Sequence, residues 1–121
     1  EKCVQVSVHM RHSFKLTDCS KPSAFRCQLS LDSDGHCPSS KYRHKVKLAS
    51  SHNCYHLTTA AQSWSEAYAT CRGLNPPGHL VSFHSLLELD SLLDLLMESG
   101  DRNLDVWVGL YESRFAYRWS D

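Results

Sequence analysis

Residues Cys54 to Phe83, CYHLTTAAQSWSEAYATCRGLNPPGHLVSF, decide how this chain folds. Ser63 and Glu66 stand three apart, the spacing of a capping box, in which a hydroxyl and a carboxylate each satisfy a first-turn backbone donor. Trp64, Ala67, Tyr68 and Cys71 then recur at i, i+3, i+4 and i+7, so one helical face carries an indole, a phenol and a thiol. Gly73 falls where a left-handed helix cap is expected, and Asn75-Pro76-Pro77-Gly78 continues no helix. His79–Phe83 reads as a short strand that buries Leu80 and Val81. A helix that turns a cysteine inward calls for a distant partner cysteine, so the segment belongs to a closed, stapled domain.

Toward the C-terminus, Ser85 and Glu88 repeat the capping-box spacing. Leu86, Leu89, Leu92, Leu93 and Leu96 follow helical spacing toward Gly100, a C-terminal cap. They mark a core face, with too few heptads for a coiled coil. Val106–Tyr111 is dense in β-branched and aromatic residues, as a central strand is. Phe115, Tyr117 and Trp119 alternate with small or polar neighbours and predict a partner strand with one aromatic face.

Toward the N-terminus, Cys3–Val8 alternates as a strand does, His9–Ser13 is a polar bend, and Phe14 and Leu16 lead to Cys19. Ala24-Phe25-Arg26-Cys27 is a last short strand. From Gln28 to Ser40 the composition shifts to Ser, Asp, Gly and Pro, the chemistry of a connector. Lys41–Leu48 alternates basic with apolar or aromatic residues. Its cations Lys41, Arg43, Lys45 and Lys47 suit either an acidic partner or a solvated strand face.

The chain has 121 residues and a formal net charge of zero, so it is one domain by size, or parts of two. No electrostatic footprint demands nucleic acid, and no apolar run approaches the roughly 20 residues of a membrane span. Its six cysteines contain no C-x-x-C pair. Zinc ribbons and redox motifs use such pairs, so disulfides are the expectation, and with them a secreted, extracellular setting. Composition does not choose among the possible pairings.

The eight histidines lack the i, i+4 helical pairing of a zinc protease and read as scattered surface imidazoles. Asp32-Ser33-Asp34-Gly35 begins like a calcium loop but lacks its downstream glutamate, and reads as a turn. No G-x-S-x-G elbow occurs, so no enzyme is expected.

Several motifs in order resemble one known family, the C-type lectin-like domain. They are Cys54-Tyr55, W-S-E-A-x-x-x-C at Trp64–Cys71, G-H-L-V-S at Gly78–Ser82, Glu88, V-W-V-G-L at Val106–Leu110 and R-W-S-D at Arg118–Asp121. Glu1-Lys2-Cys3-Val4, Asp18-Cys19 and Phe25-Arg26-Cys27 resemble the way such domains end. The order is therefore permuted, with the family's long loop absent. Residues 1–28 resemble a C-terminal portion, 29–40 a linker, and 41–121 an N-terminal portion. The fold class implied is α+β, two helices packed on small antiparallel sheets. Permutation within one chain, or a neighbouring subunit or repeat, completes it.

The resemblance implies the bridges Cys3–Cys19, Cys37–Cys54 and Cys27–Cys71, the last within or between chains. It also implies where calcium and sugar would sit. Glu1 is a residual acid of that site, but Phe14-Lys15-Leu16 replaces a triplet that supplies two oxygen ligands. One carboxylate falls short of the roughly six to eight oxygens calcium takes, and an ammonium repels the ion. No metal or other cofactor is expected.

The expected function is a secreted, non-enzymatic lectin-like module working by protein–protein recognition, or a repeating structural unit of an extracellular assembly. Its partners would be copies of itself head to tail or adjacent repeats. The alternative is a calcium-independent lectin that binds glycan through the aromatic strand (Phe115, Tyr117, Trp119) or the basic one (Lys41, Arg43, Lys45, Lys47).

Overall fold

In a computed structural model of the chain, residues 2–11, 13–37, 46–48, 53–57, 60–74, 76–100, 104–112 and 117–120 are described, with backbone alone at 46–48, 57, 110–112 and 117–118. Three strands come first: β1 (Lys2–Ser7), β2 (Phe14–Asp18) and β3 (Ala24–Leu29). β4 (Val46–Leu48) and β5 (Cys54–Leu57) follow, then α1 (Trp64–Arg72), β6 (His79–Leu80), α2 (Leu86–Glu98), β7 (Asp105–Glu112) and β8 (Tyr117–Trp119). The class is α+β, and its two helices, mixed sheet and three disulfides are consistent with a C-type lectin-like fold.

The sheet order is β2-β1-β7-β3-β5-β4, with β6 also paired to β3 and β8 to β7. The strand written late in the sequence thus lies between two written first. β1 meets β7 antiparallel through Val6↔Val106, while β3 meets it parallel through Ala24↔Val106 and Phe25↔Trp107. That parallel pairing departs from the expected antiparallel sheets. β3 reaches β7 only through β4, β5 and both helices, and such a long crossover returns the chain in the same direction.

Helix α1 starts as its sequence dictates. Ser63 Oγ accepts from the Glu66 amide, and the Glu66 carboxylate accepts from the Ser63 amide at 3.1 Å. The Ser63 amide, and after it the Ser63 hydroxyl at 2.9 Å, hold the Glu66 carboxyl below its usual range. Ala67 and Cys71 are buried, while Trp64 and Tyr68 are half-buried and stacked on one another at 5.7 Å. The helix end differs from expectation: Gly73 has φ −83°, an ordinary right-handed value. Its amide reaches back to the Ala69 carbonyl, so the helical turn simply runs on.

Helix α2 buries Leu89, Leu92, Leu93 and Leu96 completely. Leu86, expected on the same stripe, is the first residue of the helix and is 59% exposed. The second capping box is half formed. Ser85 caps the Glu88 amide, but the Glu88 carboxylate accepts from His84, one residue beyond the cap. Gly100, with φ +88°, closes the helix by donating to the Met97 carbonyl. Asp32 to Gly35 is a turn, its Asp32 carboxylate accepting from the Asp34 and His36 amides.

Two cores result. Val6, Val8, Tyr55, Val81, Val106 and Val108 pack with the α2 leucines. Cys3, Phe25, Cys27, Ala67, Cys71, Leu80 and Trp107 form the second. Here the Trp107 indole donates to the Gln62 carbonyl and the Trp64 indole to the Val108 carbonyl, each at 2.9 Å, so two indole N–H groups pin the start of α1 and the residues before it to β7. The sulfur bonds are Cys3–Cys19, Cys27–Cys71 and Cys37–Cys54.

Two stability experiments follow from this packing. Replacing Cys27 and Cys71 together with Ala removes a link across 44 residues, which loop-closure entropy values at about 4 kcal/mol in chemical denaturation. A loss below about 1 kcal/mol would show that strand pairing alone fixes the two halves. Gly78→Ala tests how closely the backbone approaches β3, since a Cβ there would meet the Gln28 carbonyl oxygen at 2.7 Å. Such overpacking is expected to cost about 1–3 kcal/mol, read from the shift of the thermal midpoint.

Candidate functional site

The β1–β2 hairpin is one edge of the sheet, and two properties separate its faces. Register pairs Val4 with Leu16 and Val6 with Phe14 on one face, and Cys3 with Thr17 and Gln5 with Lys15 on the other. Phe14 and Leu16 are 47% and 51% exposed, so this apolar pair lies largely on the surface. Among the described strands β2 is the outermost of its sheet.

Lys15 and Leu16 hold the positions where the family resemblance would put two oxygen ligands. Lys15 Nζ lies 3.4 Å from the Asp105 carboxylate, an exposed ion pair. Leu16 brings no donor atom. Among the described residues, no group of three or more His, Cys, Asp or Glu side chains is placed to hold a metal ion. Glu1 lies outside the described residues.

The polar face is internally bonded. Thr17 Oγ1 donates to Gln5 Oε1, and Gln5 Nε2 donates to Ser23 Oγ, both at 2.7 Å. Ser23 Oγ in turn donates to the Ala24 carbonyl at 3.0 Å. Gln5 is only 7% exposed, so this chain fixes its amide. Above it a groove of about 440 Å³ is lined by Lys2, Gln5, Lys15, Leu16, Thr17, Asp18, Lys21 and Pro22. The Ser20 amide and hydroxyl, and more weakly Lys2, hold the Asp18 carboxyl below its usual range.

A second groove, of about 450 Å³, is lined by Phe83, His84, Ser85, Leu86 and Trp119. The Phe83 ring meets Trp119 edge-on at 5.4 Å and stacks on Phe14 at 5.9 Å. The His84 ring stands 6.3 Å from Trp119. The Ser120 amide donates to the Gly109 carbonyl, so β7 positions the indole.

Of the candidate ligand-binding residues of the aromatic and basic strands, Trp119 is the one whose described side chain lines a groove. Tyr117 and Lys47 are described as backbone only, in β8 and β4, and Lys41, Arg43, Lys45 and Phe115 lie outside the described residues. Phe83 and His84 escaped the sequence reading because they meet Trp119 only in the fold. Gln5, Lys15 and Thr17 left a readable sign in the two-residue alternation of the two strands, whereas Lys2 has the opposite parity and Lys21 lies beyond β2.

Comparison with known proteins adds the following. No protein-family model and no solved structure matches the chain. The C-type lectin TsL of Trimeresurus stejnegeri is 31% identical over 70 residues, 56% of this chain and 44% of that protein. Lithostathine-2 of Mus musculus is 38% identical over 66 residues, 54% of this chain and 38% of that protein. The C-type lectin APL of Agkistrodon piscivorus piscivorus is 29% identical over 70 residues, 56% and 52% respectively. The chain's homologues are thus C-type lectins and lithostathines, proteins of the C-type lectin-like kind, and it spans about half or less of their length.

The aromatic groove makes a quantitative prediction. A double-mutant cycle on Phe83→Ala and Trp119→Ala is expected to give a coupling of about 1 kcal/mol, as edge-on aromatic pairs do. Additive losses in thermal unfolding would mean that the two rings do not touch in solution.

Proposed function

We propose that this chain is a secreted, non-enzymatic lectin-like module that recognises a protein partner without calcium. Its order is permuted, residues 1–28 standing for the end of such a domain and 41–121 for its beginning, joined through 29–40. The flanking of β7 by β1 and β3, and the bond of Cys27 to Cys71 inside one chain, support a self-contained module. Secretion is supported by the disulfides.

The observation that carries the reading is the hairpin edge. Where a calcium lectin needs oxygen ligands, β2 offers an ammonium engaged with Asp105 and a half-exposed leucine. Phe14 and Leu16 at the outer strand, with Leu87 78% exposed on α2, are apolar groups that suit the buried centre of a protein interface. A second reading, calcium-independent carbohydrate binding, is favoured by the Trp119 indole in its groove, since sugar rings stack on aromatic faces.

Thermal unfolding in saturating calcium and in chelator is expected to give the same midpoint, with monomers on reducing and non-reducing gels alike. A calcium-raised midpoint, or sugar binding that chelator abolishes, would refute the calcium-free reading. A ladder on the non-reducing gel alone would refute the self-contained module and indicate Cys27–Cys71 bonds between copies.

A further inference from the structure

The lysine-lined groove on the hairpin has a chemistry that the apolar edge does not explain. Lys2, Lys15 and Lys21 converge on about 440 Å³ of open space, although the chain as a whole carries no net charge. All three are exposed. Neither Lys2 nor Lys21 forms an ion pair with another described residue, and Lys15 has only its exposed contact to Asp105 at 3.4 Å. Such a pair is weak and leaves the ammonium open to a second anion. The one acid lining the groove, Asp18, has an oxygen taken up by the Ser20 amide and hydroxyl. Three ammonium groups against this one carboxylate leave the groove's lining with a positive excess.

Its floor is polar and preorganised. The Gln5 amide is more than nine-tenths buried and locked between Thr17 and Ser23, which leaves its second N–H to donate elsewhere. Thr17 Oγ1 has already donated its proton and accepts from a ligand hydroxyl. The apolar lining is limited to Leu16 and Pro22. Spaced cations over hydrogen-bonding groups, with little for a hydrophobic side chain to fill, match a ligand that alternates anionic and hydroxyl groups.

We propose that the groove bordered by Lys2, Lys15 and Lys21 binds a saccharide chain bearing sulfate or carboxylate groups. Contact is through ammonium–anion pairs and through hydrogen bonds to Gln5 and Thr17, with no metal ion taking part. The site goes beyond protein recognition at the apolar edge and rests on that reading only for its calcium independence.

The test is a titration of the intact chain with heparin, hyaluronate, neutral dextran and poly-glutamate, each in calcium and in chelator. Heparin is expected to bind in both conditions, hyaluronate more weakly, and dextran not at all, with affinity falling as salt rises. Lys2→Ala with Lys21→Ala should weaken heparin about tenfold, at the scale of two exposed ion pairs. These substitutions remove exposed side chains, and an unchanged thermal midpoint verifies the fold. Removing Lys41, Lys45 and Lys47 together by alanine substitution should leave the affinity unchanged. An absence of heparin binding, or its loss only in that second variant, overturns the groove while the protein-recognition reading stands. Poly-glutamate binding equal to heparin overturns the saccharide assignment. Binding that requires calcium overturns both this proposal and the calcium-free reading.

Discussion

The seating of β7 between β1 and β3 is the constraint on which the remaining structure depends. Residues separated by most of the chain must meet there, and their meeting is entropically costly until something holds it. The Cys27–Cys71 bond does so from the far side of the same core, tying the third strand to the first helix. Trp107 fills the space between them and is fully buried, its indole N–H satisfied by Gln62. Removing the indole would leave a cavity between the strand and the helix that the sulfur bond joins, although the Gln62 carbonyl would keep its bond from the Ser23 amide, so the sulfur bond and the tryptophan support each other. Every other contact of α1 with the sheet follows from this arrangement.

The hairpin surface is a consequence of that seating. Because β1 pairs with β7 on one side, β2 is left at the edge, and its two faces meet different surroundings. One face borders the leucine core and exposes Phe14 beside Phe83. The other carries the Thr17–Gln5–Ser23 chain, which reaches the start of β3 through Ser23. The groove draws Gln5, Lys15 and Thr17 from this second face and Lys2, Leu16 and Asp18 from the first, so an aromatic surface and a cationic groove adjoin on the same pair of strands.

Local chemistry was legible in the sequence, and long-range contact much less so. Ser63 and Glu66 announce the start of α1 because both partners of each bond lie within one turn. Leu89, Leu92, Leu93 and Leu96 announce the buried face of α2 for the same reason. The density of Val106–Tyr111 marks a central strand, and β7 is central. What failed was the detail set by neighbours from afar. Leu86 fits the helical stripe but stays exposed beside Trp119, and Glu88 turns to His84 although its spacing suits Ser85. The parallel register of β3 with β7 has no local signature, since it arises from the path of the chain between them. The site was the least legible part. Trp119 could be singled out as aromatic, but Phe83 and His84 join it only through folding, and zero net charge conceals a local excess of lysine.

The hairpin's shape is also held by bonds indifferent to metal. Cys3–Cys19 ties the start of β1 to the residue after β2. The Ser7 amide donates to Ser13 across the other end, and the Val8 amide to Leu104 beside β7. The Arg11 guanidinium meets Asp94 and lies 3.7 Å from Asp90, anchoring the loop between the strands to α2. A surface ordered by an ion would place acidic oxygens at its centre and lose its order when they protonate or the ion leaves. Here the centre is Lys15 against Asp105, over a hydrogen-bonded floor of neutral side chains. Disulfide, backbone and amide bonds already fix the geometry, so a ligand meets a surface ordered before it arrives and recognition does not have to supply the cost of ordering it.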